Sequence, residues 1–226
     1  MFLMKNLYLN SPVNLSQSQI EKFEKYADLL AFYNEKFNIT AIREREEVIN
    51  KHFVDSLYGL KFISGKKILD VGSGGGFPIM PLKIADESLD ITALDSNAKK
   101  CWFIEEVAKN LNLSNVKTLS DRAEDLSKKE DYRESFDCCT ARAVAKLNIL
   151  CEYCMPFVKV GGRFISYKLY NPEEIEEGLN AIKTLGGEIE EIFKYGEDRC
   201  VLVIKKVSST DKKYPRQNGQ IRKKPL

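Results

Sequence analysis

The sequence predicts an α/β fold: a doubly wound, mostly parallel seven-stranded sheet with a terminal antiparallel strand, preceded by N-terminal helices. Three observations predict it. Ile68–Val71 is a short apolar run, four glycines follow at 72, 74, 75 and 76, and Pro78 opens an apolar segment through Ile84, which reads as strand, tight loop and helix. Short apolar runs then alternate with segments of helical period as far as Leu185. Last, Glu188–Phe193 and Cys200–Lys206 are two alternating runs joined by a polar turn, a hairpin that closes the sheet with a reversed strand.

The elements follow in order. Ser16-Gln17-Ser18-Gln19 is a capping box, and Ile20, Phe23, Tyr26, Ala27, Leu30 and Tyr33 recur at helical spacing, so a helix should run to about Asn34. A second helix is expected over Glu46–Phe62, and the apolar connector Phe37–Ile42 should pack on the core. Beyond the glycine loop, strands are expected at Asp90–Asp95, Asn115–Ser120 and Phe136–Arg142. Gly161-Gly162 should turn the chain into a fifth strand, Arg163–Lys168. Helices are expected at Lys99–Leu111 with Trp102 turned inward, at Leu147–Val158, and at Pro172–Leu185 with Ile175, Leu179 and Ile182 as its core stripe. These boundaries give a helical extension packed on the core (1–64), a ligand-binding domain (65–207) and a basic tail (208–226).

The glycine loop chooses its ligand by what it lacks. A dinucleotide fingerprint, Gly-x-Gly-x-x-Gly, fails from Gly72 because Phe77 takes the third place, and from Gly74 because Ile79 does. No Gly-Lys-Ser/Thr follows, and a proline in the first helical turn removes an N–H that a pyrophosphate would use. A ligand with a nucleoside and a small carboxylate but no phosphates remains, and S-adenosylmethionine fits. Gly72, Ser73, Gly74 and Phe77 would line it. Asp95, at the end of the second strand, can accept both ribose hydroxyls or cap the helix beginning near Asn97. Arg122-Ala123-Glu124-Asp125 falls where adenine would lie, or else supplies helix-start charges.

Several chemistries are disfavoured. His52 is the only histidine, so histidine metal clusters are excluded, and it reads as a hydrogen-bonded helix residue with Asp55 on the same face. Thr140-Ala141-Arg142-Ala143 lacks the Asn/Asp-Pro-Pro-Tyr/Phe of enzymes that methylate base amines. None of the six cysteines sits in the Pro-Cys or Thr-Cys-Ser setting of a cytosine C5 nucleophile, and Cys151-x-x-Cys154 falls inside a helix, where both should be small buried residues. No metal is expected.

The net charge of +2 hides an asymmetry: the chain from Lys205 onward carries +7 and the remainder −5. Such a tail suits a polyanionic partner, although a solvated charge run is the plainer alternative. Residues 1–9 show no signal-peptide pattern, no run approaches the roughly 20 apolar residues of a membrane span, and a reducing cytoplasmic location and a monomer are expected.

The residues together resemble one family, the bacterial small-subunit ribosomal RNA methyltransferase G, also called glucose-inhibited division protein B. The likeness rests on Tyr33-Asn34 with Asn38–Ile42, His52–Leu57, Asp70–Pro78, Arg122–Glu124, Arg142-Ala143, Tyr214-Pro215-Arg216 and Pro225-Leu226. It implies a class I methyltransferase that uses S-adenosylmethionine to methylate guanine N7 in 16S ribosomal RNA, naked or in the small subunit. It also implies that Gly72 and Phe77 line the cofactor loop, that Ala123 and Glu124 meet the adenosyl part, and that Arg142 lies at the methyl-donor pocket. Arg142 or Lys168 would then hold the guanine edge at O6. In the tail, Lys212, Lys213, Arg222 and Lys223 would contact phosphates and Tyr214 and Arg216 would stack or pair with RNA, unless the tail folds back to shape the pocket. Two positions depart from the family: Ile79 and Leu169 stand where it usually has glycine, so Ile79 should narrow the helix approach and Leu169 should alter any backbone contact after Lys168. A methyltransferase of small molecules or proteins would explain the core but leave the tail idle. A non-enzymatic RNA-binding module would explain the tail but neither Asp95 nor the glycine loop.

Overall fold

A computed structural model describes Tyr8 and residues 10–226; residues 1–7 and 9, in which no signal-peptide pattern was read, lie outside the described part. Seven strands form one sheet in the order β3-β2-β1-β4-β5-β7-β6. They are β1 (Lys67–Val71), β2 (Asp90–Leu94), β3 (Val116–Leu119), β4 (Phe136–Arg142), β5 (Val158–Leu169), β6 (Gly187–Tyr195) and β7 (Arg199–Lys206). Only β7 is reversed; it pairs antiparallel with both β5 and β6, so the last strand of the chain lies one place inside the edge. The order reverses between β1 and β4, and doubly wound sheets bind ligands beyond the strand ends at such a switch point.

Helix α1 (Gln17–Phe37) starts at the expected capping box: Gln19 N–H donates to Ser16 Oγ at 3.3 Å and Ser16 N–H to Gln19 Oε1 at 2.8 Å. Gln19 Nε2 also donates to the carbonyls of Ile84 and Ala85 at the end of α4 (Ile79–Ala85), so one side chain closes two helix termini. Phe23, Tyr26, Ala27, Leu30 and Asn34 form the buried stripe of α1, and the four apolar residues share one core with Ile68 of β1 and Ile91 of β2. The helical extension therefore completes a layer over one face of the sheet. The connector packs as expected, with Ile39 buried and Asn34 exchanging two 2.9 Å hydrogen bonds with the Thr40 backbone.

The second helix is not continuous. It divides into α2 (Arg45–Val48), a π-helical stretch Ile49–Val54, α3 (Asp55–Leu57) and a 3-10 turn, Leu60–Phe62. Two side chains claim carbonyls of the π stretch: Arg142 Nη1 donates to that of Lys51 at 3.1 Å and Ser56 Oγ to that of His52 at 2.5 Å. A side chain that claims a helix carbonyl loosens the local ladder, and π turns gather where a functional group is re-aimed.

Three further expectations change. Val158 already pairs with Phe136, so Gly161-Gly162 lies within β5; a Cβ on Gly162 would stand 2.5 Å from the Asp137 carbonyl, and the pair forms an irregularity in the strand instead of a turn. The helix expected over Leu147–Val158 is α7 (Leu147–Cys154) followed by a 3-10 turn, Met155–Phe157. In α5 (Ala98–Asn110) Trp102 faces outward, and in α8 (Pro172–Thr184) Leu179 does, while Gly178, Ala181 and Ile182 face inward because Gly178 sits against Leu147. Ile79 is buried in the core and Leu169 is exposed, paired with Arg199.

The tail folds back along the other face. Lys206 Nζ is buried and donates to the Met155 carbonyl at 2.8 Å, Arg133 binds the carbonyls of Thr210 and Tyr214, and Ile221 of α9 (Asn218–Lys223) is fully buried. All six cysteines are free and buried. Among the described residues no helix is long and apolar enough to cross a membrane, and no cluster of metal-ligating side chains occurs.

Candidate active site

The loop after β1 takes its shape from glycine. Gly72, Gly74 and Gly76 have φ of +73°, +55° and +91°, a region costly for residues with a Cβ. A Cβ on Gly72 would also stand 2.6 Å from Val144. The loop is tied down rather than open: Gly72 and Ser73 donate to the Leu94 carbonyl at 2.8 and 3.1 Å, and Ser73 Oγ donates to the Asp70 carbonyl. Asp95 does not cap the following helix. Asn97 is the helix cap, whereas Asp95 accepts Gly74 N–H through Oδ2 and Asn97 N–H through Oδ1, each at 2.9 Å. Each oxygen keeps a lone pair for a ligand hydroxyl.

Two clefts meet at Gly72. The first, about 140 Å³, is walled by Asp95, Arg122, Ala123 and Glu124 of α6 (Ala123–Leu126), Tyr153 and two residues of α9, Asn218 and Arg222. The second, about 310 Å³, is bounded by Ser73, Gly74, Phe77, His52, Arg142 and Arg199. Thus Gly72, Ser73, Gly74, Phe77, Asp95, Ala123, Glu124 and Arg142 are brought together. Lys168 is not: its Nζ pairs with Glu174 and donates to the Ala145 carbonyl at 3.1 Å, and Glu174 also accepts Leu147 N–H, so these groups brace the start of α7.

Arg142 ends β4 and is held from three sides. Nη1 donates to Asp55 Oδ2 at 2.8 Å and to the Lys51 carbonyl, and Nη2 lies 2.9 Å from His52 Nδ1. Because a guanidinium only donates, His52 Nδ1 accepts, and its Nε2–H points to Thr40 Oγ1 at 2.8 Å. The ring stacks on Phe77 with centroids 4.3 Å apart, and burial, reinforced by the Arg142 charge, pushes its pKa down to about 3. His52 is neutral, with both nitrogens engaged. Asp55 also accepts Tyr195 Oη at 2.9 Å and lies 3.3 Å from Arg199. His52 therefore bonds Arg142 and Thr40, not Asp55, and sequence reasoning missed that His52, Asp55 and the Lys51 carbonyl surround one guanidinium. The signal was present in the pairing of His52 with Asp55 three residues on.

Asp70 was also missed as a group with its own chemistry. It is fully buried, accepts Thr140 Oγ1 at 2.6 Å through Oδ1, and leaves Oδ2 without a partner; burial raises its pKa to about 7.

The tail is corrected in part. Tyr214 is buried, and Arg216 is a fork on the fully buried Glu152, with Nη2 to Oε2 at 2.7 Å and Nε to Oε1 at 2.9 Å. Both are engaged within the fold: the Tyr214 carbonyl binds Arg133, and Arg216 Nη1 donates to the Lys224 carbonyl at the end of α9. Arg222 helps wall the first cleft, while Lys212, Lys213 and Lys223 face solvent.

A doubly wound sheet with one reversed strand, a glycine loop at its switch point and an acid ending β2 defines the class I methyltransferase fold. Solved structures agree: a SAM-dependent methyltransferase from Aquifex aeolicus superposes with a TM-score of 0.57 at 19% identity, over 75% of this chain and 97% of that one. A SAM-dependent O-methyltransferase from Thermotoga maritima gives 0.54 at 17% identity, over 80% and 72%. The family description "GidB: rRNA small subunit methyltransferase G" matches residues 19–202. Ribosomal RNA small subunit methyltransferase G of Desulfitobacterium hafniense is 47% identical over 220 residues, 95% of this chain and 92% of that one. The Bacillus subtilis protein of the same name is 43% identical over 95% and 93%. The chain belongs to the small-subunit ribosomal RNA methyltransferase G family.

Proposed function

We propose that the protein transfers a methyl group from S-adenosylmethionine to N7 of a guanine in 16S ribosomal RNA. It acts as a cytoplasmic monomer on the RNA or on the small subunit. The observation that carries this reading is the junction of the two clefts at Gly72, with Arg142 fixed beside it by Asp55 and His52. The residues suit the cofactor: a loop whose Cβ-free surface admits a nucleoside, Asp95 with lone pairs to spare, and Ala123 and Glu124 alongside. S-adenosylmethionine supplies an electrophilic methyl group on a sulfonium.

Guanine N7 is a lone pair without a proton, so no residue need act as base, in keeping with a neutral His52 whose nitrogens are both committed. The Gly72 loop and Asp95 would hold the cofactor and present its methyl group to the N7 lone pair, and the methylated base would carry the positive charge. The protein's work is to align the two partners. Arg142 retains N–H groups at Nε and Nη2 beyond those given to Asp55, Lys51 and His52, and these hold guanine O6 while leaving N7 free. Lys212, Lys213 and Lys223 add phosphate contacts that carry no sequence information.

The test uses small subunits and naked 16S RNA from cells lacking the gene, incubated with the protein and S-adenosylmethionine. Aniline cleavage at N7-methylguanine followed by primer extension should give one new stop. Label transferred to another base position, or to protein alone, would refute the assignment.

A further inference from the structure

Helices α1 and α5 meet beside the second cleft in a cluster of rings that the reaction just described does not use. Tyr33 packs edge-on against Trp102 at 5.2 Å, Phe37 lies 5.8 Å from Trp102, and Phe32 lies 4.9 Å from Tyr33. Phe32, Phe37 and Trp102 remain 53%, 37% and 40% exposed, and among the described residues every aromatic side chain left this exposed is in this patch.

Cations accompany the rings. Lys36 Nζ lies 4.1 Å from the Phe32 centroid and Lys99 Nζ 5.8 Å from that of Phe37. Among the described residues none of Lys36, Lys99 and Lys100 pairs with a carboxylate, whereas elsewhere along α1 Lys22 pairs with Glu87, and Glu24 and Asp28 pair with Arg45. The nearby acids face elsewhere: Glu35 lines a separate cavity with Arg43 and Arg45, and Glu105 bonds Thr118. The patch is continuous with the second cleft, because Lys100 and, just beyond Phe37, Ile39 and Thr40 line that cleft. A lysine stem laid over a ring would account for one exposed aromatic. It does not account for three, on adjoining helices, with unpaired cations at the mouth of a cleft.

We propose that this surface extends the RNA site: unpaired bases flanking the target guanine stack on Phe32, Phe37 and Trp102, and Lys36, Lys99 and Lys100 hold their phosphates. Aromatic platforms with unpaired lysines suit single-stranded RNA, whose bases offer a π face whatever their identity. The inference rests on the RNA-methylating reading above.

Affinity is measured for naked 16S RNA and for small subunits from cells lacking the gene, with the unmodified protein, Phe32→Ala, Phe37→Ala and the pair Lys36→Gln with Lys99→Gln. Each ring removed should weaken binding about fivefold or more, and the lysine pair should flatten the salt dependence, with cofactor affinity and melting temperature unchanged. Trp102 is the only tryptophan, so its emission reports the site directly. Naked RNA should quench it, whereas inorganic polyphosphate, which has charge but no bases, should not. RNA or subunits bound equally by all variants would overturn the proposal, as would bound RNA that leaves Trp102 emission unchanged. A changed sedimentation coefficient in Phe32→Ala with unaltered RNA affinity would overturn it in favour of a second copy of the chain. If neither RNA nor subunits bind the unmodified protein, the RNA-methylating reading itself fails, and this surface with it.

Discussion

Two arginines in this molecule are each held by a buried carboxylate, and they differ in what is left over. Arg216 spends its fork on Glu152: Nε and Nη2 bind the two carboxylate oxygens and Nη1 binds the Lys224 carbonyl. Arg142 divides its donors among Asp55, Lys51 and His52, has no partner for Nε among the described residues, and lines the second cleft. A bidentate pair facing inward ties one segment to another, whereas a guanidinium oriented from behind with open donors in front is arranged to meet a ligand. The same residue type, largely buried in both places, is thus architecture in one region and, on the proposed reading, equipment for binding in the other.

The largest expected effect breaks the Arg142 side. Arg142→Ala should lower methyl transfer at least a hundredfold. Because Asp55 would lose its nearest cation while keeping Tyr195 and Arg199, unfolding stability should also fall, by about 2 kcal/mol. Arg142→Lys separates the two consequences, since it retains charge near Asp55 but cannot reproduce the fork. Transfer should stay at least tenfold down while the urea midpoint recovers most of its loss. Recovery of both together would make Arg142 architectural as well.

Next comes the Arg216 side. Arg216→Ala would leave Glu152, wholly inaccessible to solvent, without its cation, at a cost of about 3 kcal/mol. Because α9 brings Asn218 and Arg222 to the first cleft, and Tyr153 Oη bonds Asn218 Oδ1 at 2.7 Å, cofactor affinity measured by calorimetry should fall as well. Truncation after Val207 should do both more severely. An Arg216→Ala protein with unchanged stability and cofactor affinity would contradict the tail's seating.

Much of this arrangement was legible beforehand, and the limits have physical reasons. Strands β1 and β4, the hairpin and the capped start of α1 were read nearly to the residue, because period, caps and turn chemistry are local signals. Trp102 and Leu179 were turned the wrong way because apolar character marks a core face only on average, and here a glycine, Gly178, occupied the inward position. The π stretch was invisible because Arg142, which claims one of its carbonyls, lies 91 residues from Lys51 in the chain. The tail was read as an RNA contact, with folding back only as the alternative, because nothing in its composition reveals that Glu152 and Glu134 wait for it across the fold. The glycine loop and Asp95 were legible in position, but the loop's tie to Leu94 and Asp70 was not.

A smaller effect concerns Asp70, behind the glycine loop. Its folded pKa, about 7, stands above that of an unfolded aspartate, so between roughly pH 4 and 7 the native state binds more protons than the unfolded one. Its contribution is therefore fully present below the unfolded pKa and is lost as pH rises through 7. Asp70→Asn keeps an acceptor for Thr140 and cannot ionise, so relative to the unmodified protein it should gain stability as pH rises from 5 to 8, by about 2 kcal/mol. Urea titrations at several pH values read this directly, and a pH-independent difference would show that Asp70 stays ionised.

The smallest effect sharpens the distinction between the seated and the exposed parts of the tail. Lys212, Lys213 and Lys223 are exposed, and only Lys213 has a nearby acid, Asp211, at 3.5 Å with both side chains largely in water. A pair of that kind contributes little and does not compete with a phosphate. If these lysines touch RNA phosphates, each releases counterions on binding, and each one replaced should reduce the log–log salt slope by about 0.7 on single-stranded RNA. The triple change to glutamine should therefore weaken RNA binding at low salt, lower the slope by about 2, and leave the position of the methylated guanine and the melting temperature unaltered, because none of the three is buried. An unchanged slope would leave the tail with its seating role alone and put the phosphate contacts on Lys36, Lys99 and Lys100, whose substitution should then account for the whole salt dependence.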